Sequence, residues 1–257
     1  MNSITARPPI SSDGLPDLAV DLPVMFEDEE AGADSGDGLP NFYEDEGQEE
    51  MGETSDHTDS TDILFYGVKA HLAPRPEYDV RVNLNLYYRP APDWHYVSPD
   101  VMVTRPPHAL PRDLRSYRIG EQGPAPVFVA EVLSRRSFQQ RDLTDKPVLY
   151  FGLNVAEYLL IDVSGQFLPQ RLLLRQPTDV GNWFDTQDTD GGVTSALGFR
   201  VVLDGDGQVR VLDAATGYRY LRPIEAEEAR RAAEAHIRRL EAELARLRGG
   251  PTPEPNS

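Results

Sequence analysis

The chain predicts a mixed α/β (α+β) domain over residues 56–221, in which a sheet of mixed strands is flanked by helices. Three observations carry that expectation. A helical period of apolar residues opens the segment. Apolar runs of strand length follow, with a second helical stretch among them. The acidity that would oppose a compact core lies outside: the formal charge is −18, but residues 1–56 hold 16 acids against Arg7 alone, a net of −15 that leaves −3 for the other 201 residues.

The elements follow in order. In HTDSTDILFYGVKAHLAP, Thr58 or Asp59 can cap a helix, Ile63, Leu64, Val68 and Leu72 recur at helical spacing, and Pro74 stops it. DVRVNLNLYY sets Val80, Val82, Leu84, Leu86 and Tyr88 against polar neighbours, which predicts one half-buried strand. VSPDVMVT is a short strand entered through Pro99. After a loop rich in Pro and Arg, PVFVAEVL (126–133) has the continuous apolar character of a central strand buried on both faces. RSFQQRDLTDKPVLYFGLNV predicts a helix. Pro147 within it calls for a new first turn capped by Thr144 or Asp145, and Gly152 ends it. EYLLIDV, RLLLR, FRVVLD and QVRVLDA supply further strands, the last two joined as a hairpin across GDG.

Outside this domain the composition changes. Residues 1–55 are rich in Pro, Gly, Ser and acid, which predicts a disordered acidic tail with little to bury. Residues 222–249 predict an amphipathic helix whose Ile237, Leu240, Leu244 and Leu247 step by 3, 4 and 3. That heptad seam suits either a coiled coil joining two copies or a helix docked on its own domain. Residues 250–257 form a second disordered tail.

Composition also bounds function. The absence of cysteine excludes disulfides and thiolate metal sites, and it fits a reducing cytoplasm. No signal peptide opens the chain and no run of about 18 apolar residues occurs, so no membrane partner is expected. With the tail set aside, charge neither supports nor excludes a nucleic-acid partner.

Two acids stand where apolar residues are expected. Asp100 opens the strand VSPDVMVT, and Glu131 interrupts PVFVAEVL. Buried carboxylates are rare unless paired or bound to a cation, and two on neighbouring strands repel unless a divalent metal neutralises both. Oxygen ligands of this kind suit Mg²⁺ or Mn²⁺, which can activate water toward a phosphodiester. Taken singly, each acid has a structural explanation. Asp100 can be a turn or cap residue, and Glu131 can lie at a strand end and pair with Arg135.

The succession VSPDVMVT, PVFVAEVLS and RD…K…YFGLNVAEYLLID resembles the Uma-type family of restriction endonucleases, within the PD-(D/E)XK nuclease superfamily. The resemblance spans roughly residues 57–220 and includes the Glu/Arg/Ala-rich C-terminal helix. It implies a restriction-endonuclease-like fold and a Mg²⁺- or Mn²⁺-dependent endonuclease acting on DNA. Asp100 and Glu131 would be the metal pair. Where the superfamily's lysine is expected, two residues after Glu131, stands Leu133. A lysine from the following helix resembles its replacement, here Lys146, one turn after Asp142 and so on the same face. The catalytic set implied is Asp100, Glu131 and Lys146. Without that role, Lys146 reads as an exposed helix residue paired with Asp142.

Other residues carry weaker expectations. Arg135, Arg136 and Arg141 can contact phosphates or form a solvated face, and Gln139 and Gln140 can line the same cleft. Trp94, Tyr87 and Tyr88 can stack on bases or pack within the sheet. His57 reads as a surface residue near the start of the first helix. The acidic tail can occupy the cleft as a phosphate mimic or act as a solubilising segment. Double-strand cutting would suit a homodimer. The alternative to an enzyme is an inactive nuclease fold serving as an interaction module.

Overall fold

The computed structural model describes residues 55–89, 95–134 and 138–248, with the backbone alone for 138–141. The expectations for the acidic tail, the C-terminal residues 249–257, Trp94, Arg135 and Arg136 lie outside the described residues. The same holds for the side chains of Gln139, Gln140 and Arg141.

Helix α1 (Ser55–Leu72) starts three residues before the predicted cap and ends two residues before Pro74. Asp56 in its first turn and Lys69 and His71 in its last complement the helix dipole. Its predicted apolar stripe, Ile63, Leu64, Val68 and Leu72, is buried.

The stretch read as one strand, 79–88, is two. Asn83 adopts a left-handed φ of 47°, which an asparagine tolerates, and turns β1 (Asp79–Val82) into β2 (Asn85–Tyr87). The next stretch breaks opposite it, into β3 (Tyr96–Val97) and β4 (Val101–Thr104). The loop that follows contains a strand not predicted from sequence, β5 (Ser116–Arg118). Next come β6 (Phe128–Val132), β7 (Tyr158–Ile161), β8 (Leu172–Pro177) and β9 (Trp183–Thr186). They are followed by β10 (Val193–Thr194), β11 (Phe199–Leu203) and β12 (Val209–Asp213).

A six-stranded sheet runs β1-β4-β6-β7-β8-β9. Only β6 and β7 pair in parallel, so the sheet is mixed, as predicted. All residues of β6 and β7 are buried, which explains their unbroken apolar sequences. On β6, Phe128, Ala130 and Val132 face α1 and the β10-β11-β12 sheet. Val129 and Leu133 face the opposite side, where Leu86, Met102, Tyr117, Leu149 and Tyr158 pack. The predicted GDG hairpin joins β11 and β12.

The crossover from β6 to β7 carries two helical elements in succession. A π-helix (Phe138–Asp145) leads directly into α2 (Lys146–Gly152), which ends at Gly152 as predicted. The expected side-chain cap at Asp145 does not form, because the backbone enters α2 already helical. Pro147 falls at the first positions of α2, where its missing N–H matters least. The wider turn upstream makes room for its ring.

Helix α3 (Pro223–Arg248) is clasped at its start. Glu225 receives Arg210 at 2.6 Å and the Arg222 backbone N–H at 2.9 Å, while Arg222 also binds Asp206 at 2.6 Å and Asp204 at 2.8 Å. The helix also touches α1, but none of its residues is buried. No described helix is long and apolar enough to cross a membrane.

Two outcomes test this architecture. A Cβ added at Gly67 of α1 would stand 2.6 Å from Val211 Cβ, so the glycine permits the close approach of α1 to β12. Helix propensity favours alanine by about 1 kcal/mol, but overpacking costs about 1–3 kcal/mol. Gly67→Ala is therefore expected to lower the urea midpoint although it improves the helix. The second outcome concerns pH. Arg210 holds the Glu225 carboxyl down to about 2 from an ordinary value of 4.5. A lowered acid stabilises the fold above its unfolded value and loses that contribution as pH falls through its folded value. Amide-exchange protection of the first turn of α3 should persist to about pH 4.5 and fade toward pH 2, and Glu225→Gln should remove that dependence.

Candidate active site

The two bends, at Asn83 and at Pro99–Asp100, lie side by side, tied by the Asn83 N–H donating to the Asp100 carbonyl at 3.1 Å. This corner leaves Asp100 at the entrance to β4, beside the C-terminal end of β6. The Val132 N–H donates to Asp100 Oδ2 at 2.7 Å, and His57 Nε2 from α1 lies 3.2 Å from the same oxygen. His57 is buried, contrary to its expected surface position, because the first turn of α1 sits over the end of the sheet.

Glu131 is next to Val132 and 2% exposed. Strand alternation turns it to the side of Val129 and Leu133, the side covered by α2. Lys146, the first residue of α2, places Nζ 2.8 Å from Glu131 Oε2 and 2.8 Å from Asp142 Oδ1. The Tyr150 hydroxyl donates to Glu131 Oε1 at 2.8 Å. The structure thus brings Glu131 and Lys146 into direct contact and links Asp100 to them through the Val132 amide. Leu133, where a lysine would ordinarily follow the acid, is buried in the core. That slot serves packing, and the ammonium arrives from the helix.

Local structure fixes the helix that carries the lysine. The Tyr158 hydroxyl on β7 donates to the Asp142 carbonyl at 2.8 Å, and Trp183 Nε1 on β9 donates to the Pro147 carbonyl at 3.0 Å. The π-helix and the first turn of α2 are therefore pinned from the sheet on either side of Lys146.

Three carboxyls, from Asp100, Glu131 and Asp142, share this interior with one ammonium, and all four groups are buried. Burial is the largest influence on the Glu131 carboxyl, Lys146 opposes it, and Asp100 and Asp142 add to it, so that the group is pushed up to about 8. Burial would lower the pKa of Lys146, but Glu131 and Asp142 outweigh it, so the amine is held above its usual value and stays charged. Burial, with Glu131 next, raises the Tyr150 phenol, which stays a donor.

Carboxyls crowded around one ammonium in this way fit a divalent cation, which would favour the ionised form of Glu131. The oxygen donors of Asp100 and Glu131 suit a hard ion such as Mg²⁺ or Mn²⁺. Among the described residues no three acidic or histidine side chains are gathered as a cage. A two-carboxylate site is the type in which Mg²⁺ retains several of its waters.

Tyr150, not singled out from the sequence, had a legible signal: it follows Lys146 by four residues and so shares its helix face. The contact of His57 with Asp100 had none, because it depends on how α1 crosses the sheet. Tyr87 and Tyr88 are half-buried. Tyr87 packs against Tyr96 with ring centroids 5.1 Å apart and lies beneath Arg118.

A solved structure similar to this chain is that of a putative nuclease belonging to DUF820 from Anabaena variabilis ATCC 29413. The two share 16% identity with a TM-score of 0.43, over 56% of this chain and 73% of that one. No curated protein matches the chain. The Uma2 family, described as "Putative restriction endonuclease", matches residues 41–206, most of the chain. The chain belongs to the Uma2 family.

Proposed function

We propose that the protein is a metal-dependent endonuclease that hydrolyses DNA phosphodiester bonds at Asp100, Glu131 and Lys146. The observation that carries this reading is the buried Lys146 ammonium, 2.8 Å from Glu131 and provided by the helix that follows the Glu131 strand. A lysine placed on the acid from another element restores the acid–lysine pairing that Leu133 removes from β6.

In this reading Asp100 and Glu131 hold Mg²⁺ or Mn²⁺. Such an ion would neutralise the paired carboxylates and supply Lewis-acid polarisation of a phosphoryl oxygen and a lowered pKa of water. Val132 N–H and His57 hold Asp100 Oδ2, which sets the orientation of that carboxylate. Tyr150 does the same for Glu131 through Oε1. Asp142 retains Lys146 when the ammonium turns from Glu131 toward substrate, so that Nζ stays over the site. There it orients water for in-line attack at phosphorus and stabilises the charge that develops on the phosphoryl oxygens. Water adds to phosphorus as the bond to the leaving oxygen breaks.

Calorimetric titration of Mn²⁺ and Mg²⁺ into the wild type, Asp100→Ala and Glu131→Ala, with plasmid nicking on the same preparations, tests this directly. The wild type should bind metal and nick, and both variants should lose the two together. A wild type that binds no metal and leaves the plasmid intact would make the cluster a structural network and favour an interaction module. Lys146→Met separates the roles further. It should still bind metal but nick about 10²–10³-fold more slowly, the usual loss when one donor to developing charge is removed. Without metal it should be less stable by about 3–5 kcal/mol, because buried carboxylates lose their partner. Added Mn²⁺ should recover part of that loss in a thermal melt.

A further inference from the structure

Helix α3 runs for 26 residues, about 39 Å, and buries none of them. Ile237, Leu240, Leu244 and Leu247 are 44% to 69% exposed. Residues three and four apart on a helix lie on one face, so these four form one apolar stripe that no described residue of their own domain buries. Scattered exposed leucines need no explanation, but a continuous stripe at heptad spacing does.

The flanking charges say what covers it. With Ile237 and Leu244 at the first core position and Leu240 and Leu247 at the second, the positions beside the core are His236, Glu241, Glu243 and Arg248. In a parallel pair of identical helices, Glu243 meets the second copy's Arg248. In an antiparallel pair, Glu241 meets it instead. The stripe and its borders are thus complementary to themselves, which a groove shaped for a different partner has no reason to be. Toward the N-terminus the seam fades: the next core positions are Ala233, which buries little, and then Arg230, bound within its own helix to Glu227 at 2.8 Å and to Glu234. The pairing segment is therefore the last two heptads, held away from the domain by the rigid Arg210–Glu225 clasp.

We propose that α3 is a self-association helix, through which two copies of this chain pair along Ile237, Leu240, Leu244 and Leu247. The stripe is short, so the dimer is reversible and depends on concentration. The proposal is independent of metal, DNA and the reading of the active site.

Sedimentation equilibrium of the full chain, without metal or DNA, tests it. The average mass should rise from the 28.7 kDa of one chain toward that of two as concentration increases. The double variant Leu240→Arg/Leu244→Arg should stay at one chain, with an unchanged urea midpoint because both side chains are solvent-exposed. Glu243→Arg and Arg248→Glu should each weaken association at low salt. Recovery in the double variant supports the parallel pair, and recovery by Glu241→Arg with Arg248→Glu supports the antiparallel one. A wild type that remains at the mass of one chain at its highest soluble concentration overturns the proposal. So does association that survives the double leucine variant undiminished, which would place the contact elsewhere.

Discussion

One buried cation organises the centre of this molecule. Lys146 sits between Glu131 and Asp142, with Asp100 close by, and among the described residues it is the ammonium buried against these acids. A carboxylate in the interior of a sheet is costly unless it is neutralised, and its neighbours make the cost higher. Two things follow. The β6–β7 crossover has to bring the start of α2 back over Glu131, and α2 has to be held there. The hydrogen bonds from Tyr158 to the Asp142 carbonyl and from Trp183 to the Pro147 carbonyl meet that requirement. The π-turns before Lys146 fit the same need, since they let the chain pass into α2 with a proline at its start.

The second organising feature is the corner. Strands that could have run straight are bent at Asn83 and at Pro99–Asp100, so the chain passes from one sheet to another twice at the same place. The bend starts β4 beside the end of β6 and puts Asp100 within reach of the Val132 amide. Had β3 and β4 been one strand, Asp100 would have been a mid-strand residue with its amide and carbonyl committed to the ladder.

Much of this was legible in the sequence. Glu131 in an apolar run and Asp100 after a proline mark themselves by being acids where burial is expected. Lys146 was singled out through the family resemblance, since Leu133 stands where the superfamily's lysine is expected. The helices were visible as well, and the long central strands announced themselves by apolar character. What could not be read were features set by tertiary contact. Nothing in DVRVNLNLYY distinguishes Asn83 from the other polar positions, so the strand appeared continuous. The strands β5, β9 and β10 are too short or too exposed to show a period. His57 looked like a surface residue because its burial depends on the crossing of α1 over the sheet end.

The hydrogen bond from Trp183 has a consequence that reaches beyond packing. Its donor stands on β9, the outermost strand of the six-stranded sheet, and its acceptor is the carbonyl of the residue immediately after Lys146. The sheet margin and the ammonium therefore share one mechanical linkage, although β7 and β8 lie between β9 and the Glu131 strand. Anything that docks along β9, or frays it, pulls on the turn that aims the amine. The rim of the protein is in this way a lever on its interior, and the pitch of that lever is set by a single indole.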